Sequence, residues 1–188
     1  MPTKTIAKAR SIFLDRDGVL NQAVFRGDNF FVRGQQVRWS APYRFEEFKI
    51  SPEAEDALLR IKSWGWLTIV VTNQPDIAYG LLPIEDHDRC MALVRALPVD
   101  DVLVCLHTRD QGCACKKPKP GMLLQAASKW AIDLSQSYMI GDTESDAGAA
   151  RAAGCAGTIL LDREYNQGIA ATYRVFNLSE AADLIAKL

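Results

Sequence analysis

Short apolar runs rich in β-branched residues alternate along this chain with longer segments whose apolar residues recur every three or four positions. That alternation leaves few folds open. Strands joined by helical crossovers pair in parallel, and helices then cover both faces of the sheet. The pattern predicts strands at 11–14, 66–71, 102–106, 138–140 and 158–161, with a weaker sixth at 173–176. The fold expected is α/β, a doubly wound parallel sheet, in one domain spanning 1–188.

The helices between these runs carry their own signals. Ser51–Pro52–Glu53 reads as a cap, a proline in the first turn and an acid near the positive helix end. Ala54, Ala57, Leu58 and Ile61 follow on one stripe. Ile84, Met91 and Val94 mark a second helix, and Pro120 opens a third carrying Leu123, Ala127 and Trp130. Glu144–Ala153 closes at Gly154, and Ser179 is expected to cap a last short helix. His87 falls on the apolar face of the second helix and reads as a packing residue. Asn21 to Glu47 breaks the alternation. Its segments 29–32 and 36–39 are suited to pair as a hairpin across Gly34, a flap inserted at 21–47. The flap's aromatic residues belong either to the core or to the wall of a substrate entrance. Arg33, Arg38 and Arg44 within it read as solvated charge, or as a grip on an anionic group.

Two carboxylates stand two residues apart where the first strand stops, in Phe13–Leu14–Asp15–Arg16–Asp17–Gly18. In an extended chain both lie on one side of the backbone, and in open α/β sheets sites form at the carboxyl ends of strands. Such a pair suits phosphoryl transfer: one acid attacks phosphorus, and the other protonates the leaving oxygen and later activates water. A solvated turn would use the same residues. Later strand ends add Thr72–Asn73–Gln74, the cations Lys116 and Lys117, and a second acid pair in Gly141–Asp142–Thr143–Glu144–Ser145–Asp146. An acid pair, a hydroxyl, a lysine and a second acid pair at successive strand ends point to one electrostatic site.

Three of the five cysteines cluster with a histidine, as Cys105–Leu106–His107 and Cys113–Ala114–Cys115. An odd cysteine count argues against a disulfide framework. Cys₃His is a complete tetrahedral ligand set for structural Zn²⁺. The 105–115 loop runs directly into Lys116 and Lys117, so zinc there would hold the lysine in place without joining the chemistry. Cys90 and Cys155 read as small core residues.

With these four motifs in order, the chain resembles the haloacid dehalogenase-like superfamily from Ile12 to Gly154. The resemblance implies a Rossmann-like fold with a minimal cap or none. It implies that Asp15 is the nucleophile and forms an aspartyl-phosphate, and that Asp17 is the general acid and base. Thr72 would bind the transferring phosphate with the backbone near Asn73, and Lys117 would neutralise charge. Mg²⁺ would be bound by Asp15, the Asp17 carbonyl and Asp142, with Asp146 auxiliary. The zinc loop and Cys115–Lys116–Lys117–Pro118–Lys119–Pro120–Gly121–Met122 resemble the branch containing heptose bisphosphate and histidinol-phosphate phosphatases. The Thr72 to Gly80 stretch is nearer the former. The five-residue gap between His107 and Cys113 is nearer the latter. Against the heptose pattern, Pro75–Asp76 replaces serine-glycine, Tyr79 an arginine, and Lys116 an arginine that would offer a bidentate fork.

The function expected is Mg²⁺-dependent hydrolysis of a phosphorylated sugar, with heptose 1,7-bisphosphate the leading substrate. Histidinol phosphate, or a catalytically idle regulatory role, are the alternatives. Asn73, Lys116 and Arg109 are the expected substrate contacts. The net charge of −1 argues against nucleic acid or an anionic membrane as partner, and no apolar run approaches the roughly 20 residues of a membrane helix. Met1 to Arg10 is mildly basic with no apolar segment behind it, and is expected to be a loose arm of a cytoplasmic protein rather than a signal peptide.

Overall fold

The computed structural model describes residues 8–32 and 34–188. The expected arm up to Ala7, and Arg33, lie outside them. Along the chain the strands are β1 (Ser11–Leu14), β2 (Val24–Phe25), β3 (Phe31–Val32), β4 (Gln35–Gln36), β5 (Trp39–Ser40), β6 (Leu67–Asn73), β7 (Asp101–Cys105), β8 (Tyr138–Gly141), β9 (Gly157–Leu161) and β10 (Tyr173–Val175). The helices are α1 (Ala54–Ser63), α2 (Ile84–Ala96), α3 (Gly121–Trp130), α4 (Glu144–Ala153) and α5 (Leu178–Ile185).

Six strands form one sheet in the order β10-β9-β8-β1-β6-β7, and every pair in it is parallel. Side chains alternate across β1. Ile12 and Leu14 join α1, α2 and α5 on one face, whereas Phe13 joins α3 and α4 on the other. Burial on both faces explains why these strands read as continuous apolar runs. Chain order reverses at β1, between β6 and β8, which opens a crevice above their carboxyl ends.

Two helix starts differ from expectation. Asn177, not Ser179, caps α5, because its side chain accepts from Glu180 N. Helix α1 begins at Ala54, since Ser51 Oγ donates to the Val19 carbonyl instead of capping. The expected hairpin forms as β3–β4, enclosed by the β2–β5 pair. None of the flap aromatics Phe25, Phe30, Phe31, Trp39, Tyr43 and Phe45 is fully buried; Phe45 packs against the core from its edge, and the core reading fails for the others. The flap crosses the crevice instead of packing under the sheet, and Val37 and Trp39 line a cavity there.

The last residue of β8 must be glycine. A Cβ on Gly141 would stand 2.3 Å from Asp146 Cβ. Only the bare backbone lets Asp146 fold back beneath the strand end. Gly141→Ala should therefore cost about 1–3 kcal/mol of stability, seen as a lowered melting temperature; an unchanged one would refute that packing.

Candidate active site at the sheet switch point

Each motif residue is delivered by a strand end or the turn after it. Asp15 follows β1, and its amide donates to the Ile140 carbonyl at 3.0 Å. Lys117 comes from the loop after β7. Its ammonium is buried and lies 2.9 Å from Asp15 Oδ1 and 2.6 Å from Asp146 Oδ1. Asn73 fixes this lysine from β6: its amide donates to the Lys117 carbonyl, and its oxygen accepts from the Lys117 amide, both at 3.0 Å. Asn73, expected as a substrate contact, thus spends its side chain on the Lys117 backbone while lining the cavity.

Asp146 lies in the first turn of α4. Its Oδ2 accepts from Thr143 N at 3.0 Å and Thr143 Oγ1 at 2.6 Å, so one carboxylate both caps the helix and holds the lysine. Asp142 follows β8, and Tyr165 donates its hydroxyl to Asp142 Oδ2. Asn166 Nδ2 donates to the Asp142 carbonyl at 2.9 Å. Gly18 leaves room for this arrangement, since a Cβ on it would fall 2.0 Å from Asp142 Oδ2.

Burial of so many charges shifts their proton affinity. Burial pushes the Asp15 carboxyl up to about 7, opposed by Lys117 and reinforced by Asp146 and Asp17. Asp142 is raised well above the usual carboxylate range by burial, then by Asp146 and Asp15. Burial pulls Lys117 down, but Asp146 and Asp15 outweigh it and hold the ammonium charged.

The carboxylate oxygens of Asp15, Asp142 and Asp146 can approach within 4.8 Å of one another. Asp146 is already filled by Lys117 and Thr143. Asp142 Oδ1 is buried with no hydrogen-bond partner. A hard, oxygen-seeking divalent cation fits this set: an orphaned carboxylate oxygen, a second acid at the strand end, and too little positive charge nearby.

The Asp17 carboxylate stands outside that trio. Arg16 Nη2 reaches its two oxygens at 2.8 and 2.9 Å, Asn21 Nδ2 donates at 3.1 Å, and Gln74 Nε2 donates at 2.7 Å. Arg16 is fully buried. Thr72 is buried too, and its hydroxyl accepts from the same Gln74 amide at 2.9 Å. Sequence reasoning missed Arg16 and Tyr165 as functional groups, and put Gln74 at the site without giving it a role. A charged residue between two acids at the end of a buried strand was a signal for Arg16. Nothing local marked Tyr165, which arrives from a turn after β9.

Cys105, His107, Cys113 and Cys115 converge as expected. Cys115 Sγ lies 3.3 Å from both Cys105 Sγ and His107 Nδ1, and 3.4 Å from Cys113 Sγ. A tetrahedral zinc site has ligand–ligand edges of about 3.5–3.8 Å, so the four atoms need only small shifts to hold the ion. Lys116 Nζ donates to the His107 carbonyl at 3.2 Å. Lys116 lines the cavity above Asp15, and Arg109 lines two neighbouring ones that Lys116 also borders.

Residues 25–154 match the haloacid dehalogenase-like hydrolase family. Among curated relatives, the D-glycero-beta-D-manno-heptose-1,7-bisphosphate 7-phosphatase of Pseudomonas putida is 31% identical, covering 88% of this chain and 93% of the relative. The D-glycero-alpha-D-manno-heptose-1,7-bisphosphate 7-phosphatase of Photorhabdus laumondii is also 31% identical, covering 78% and 79%. The crystal structure of D,D-heptose 1,7-bisphosphate phosphatase from B. bronchiseptica, complexed with magnesium and phosphate, superposes with a TM-score of 0.75. It is 28% identical and covers 95% of this chain and 98% of that one.

Two measurements test this site. A folded-state carboxyl raised from 3.8 to about 7, as at Asp15, holds its proton where the unfolded chain has lost it. Its contribution to metal-free stability therefore falls as pH rises across that window. Magnesium needs the ionised acids, so the rise in melting temperature on adding magnesium should be larger at about pH 8 than at about pH 5, and Asp142→Asn should abolish it. An equal rise at both pH values would contradict the site. Metal analysis should find about one zinc per chain, lost in Cys115→Ser together with thermal stability. Full stability without zinc would contradict a structural ion.

Proposed function

From the premise that the chain is a phosphatase of the haloacid dehalogenase-like hydrolase family, we propose that it hydrolyses a small phosphorylated sugar through an aspartyl-phosphate on Asp15. The observation that carries this reading is the buried Lys117 ammonium 2.9 Å from Asp15 Oδ1, at the floor of a cavity of about 540 Å³ that also holds Asp17 and Asp142. An Asp15 oxygen attacks phosphorus as the bond to the ester oxygen breaks. Asp17 delivers a proton to that departing oxygen. Asp17 then takes a proton from water as the water attacks the phosphoryl group, which frees Asp15 and inorganic phosphate. Lys117 offsets the repulsion between the incoming dianion and Asp15. Mg²⁺ held by Asp15, Asp142 and the Asp17 carbonyl would neutralise charge on the phosphoryl oxygens.

The preferred substrate is D-glycero-D-manno-heptose 1,7-bisphosphate, supported by the relatives that share both the motifs and nearly the whole length of the chain. In this reading residues 1–188 form one catalytic domain, the 21–47 flap walls the entrance and the 105–115 loop braces Lys117. Lys116 lines this cavity and Arg109 a neighbouring one that Lys116 also borders, so a second phosphate at that border would find positive charge. The thiolate-rich zinc site fits a reducing, cytoplasmic setting.

Asp15→Asn should lose essentially all magnesium-dependent phosphate release while keeping its fold, and turnover like that of the unaltered protein would sink the assignment. Across sugar mono- and bisphosphates and histidinol phosphate, catalytic efficiency should be highest for the heptose bisphosphate. A preference for histidinol phosphate would overturn that substrate.

A further inference from the structure

Asp76 is a carboxylate without an assigned task, held at the cavity wall. It sits on the loop after β6, the strand that brings Thr72 and Asn73 to the site. The loop is closed by its own backbone: Tyr79 N donates to the Pro75 carbonyl at 3.0 Å, and Leu81 N and Leu82 N donate to the Asp76 carbonyl at 2.8 and 3.2 Å. The Asp76 backbone is thereby fixed. Its side chain lines the cavity with Asp15, Asp17 and Lys117. Among the described residues none hydrogen-bonds the Asp76 carboxylate, although the neighbouring acid Asp17 receives donors on both oxygens.

A half-buried carboxylate that still opens to the cavity, with no protein donor on it, is free to accept from a ligand there. Burial first, then Asp17, raises its proton affinity, and Arg16, Lys116 and Arg26 only partly compensate. The same cavity is walled by Trp39 and Tyr165, whose rings lie 6.0 Å apart. An ester with its phosphate at Asp15 and Lys117 would place its alcohol portion in the space shared by Asp76 and these rings. Aromatic faces suit the apolar face of a sugar, and a fixed acceptor suits its hydroxyls.

We propose that Asp76 is a specificity-determining residue that accepts a hydrogen bond from a hydroxyl on the alcohol portion of the phosphate ester. This rests on the phosphatase reading above and deepens it. The enzyme would select polyhydroxylated esters over plain alkyl or aryl ones, and would disfavour an anionic group at this point of the pocket. A second phosphate must then lie away from Asp76.

The test is kcat/KM for the zinc-loaded, magnesium-supplemented protein and for Asp76→Asn and Asp76→Leu on four esters: a sugar phosphate, an unsubstituted alkyl phosphate, an aminoalkyl phosphate and p-nitrophenyl phosphate. Asp76→Leu should lose about tenfold to a hundredfold more efficiency on the sugar phosphate than on the alkyl and aryl esters. Asp76→Asn, which keeps an acceptor oxygen, should recover part of the difference. Equal losses on all four esters, or none on the sugar phosphate, would overturn the role. A wild-type preference for the aminoalkyl ester that disappears in Asp76→Leu would overturn the hydroxyl as the group read. Turnover of p-nitrophenyl phosphate by the wild-type protein bears on the phosphatase reading, and the ratios between esters bear on Asp76, so the two fail separately.

Discussion

The ammonium of Lys117 between Asp15 and Asp146 is the contact on which the rest of the site depends. Three carboxylates crowd the strand ends, and removing charges from water costs several kcal/mol per ion before any pairing. One buried cation makes that crowding tolerable, and the surrounding chain is arranged to keep it there. Asn73 clasps its backbone from β6. The Cys₃His cluster anchors the loop just before it. Asp146 is aimed at it by the first turn of α4, which is possible only because Gly141 lacks a side chain. Deleting one partner of such a group leaves the others buried and unpaired, which is why the site behaves as a unit.

The two acids after β1 lie two residues apart and have different surroundings. Asp15 faces the lysine and carries a raised proton affinity. Asp17 receives Arg16, Asn21 and Gln74. Gln74 also bonds the Thr72 hydroxyl, so the second acid and the expected phosphate-binding residue share one amide. Beyond them Tyr165 joins two regions. Its hydroxyl serves Asp142, and its ring meets Trp39 of the flap, whose indole donates to Glu164 at 2.6 Å. The flap is tied in this way to the turn that supports the second acid pair.

The sheet was legible because its strands are buried on both faces and separated by capped, periodic helices. Asp15, Lys117, Asp142 and the zinc ligands were legible because each stands at a strand end or in a dense cluster of its own chemistry. What escaped was long-range. The caps of α1 and α5 shifted because Ser51 found the Val19 carbonyl and Asn177 outcompeted Ser179. The flap aromatics stayed open between core and cavity wall because hydrophobicity alone does not separate the two: Phe45 packs on the core, and Trp39 lines the cavity. Arg16 stands beside its partner Asp17, but its complete burial is set by packing from elsewhere in the chain, and Tyr165 reaches Asp142 from a later turn, which no local spacing encodes.

The central claim is that Asp15 carries the phosphoryl group. Rapid acid quench of a single turnover with substrate labelled in the transferred phosphate, followed by peptide mapping, tests it directly. The account predicts a transient, hydroxylamine-sensitive phosphopeptide containing Asp15. Phosphate release at full rate with no label on the protein, or with label on another residue, would contradict it.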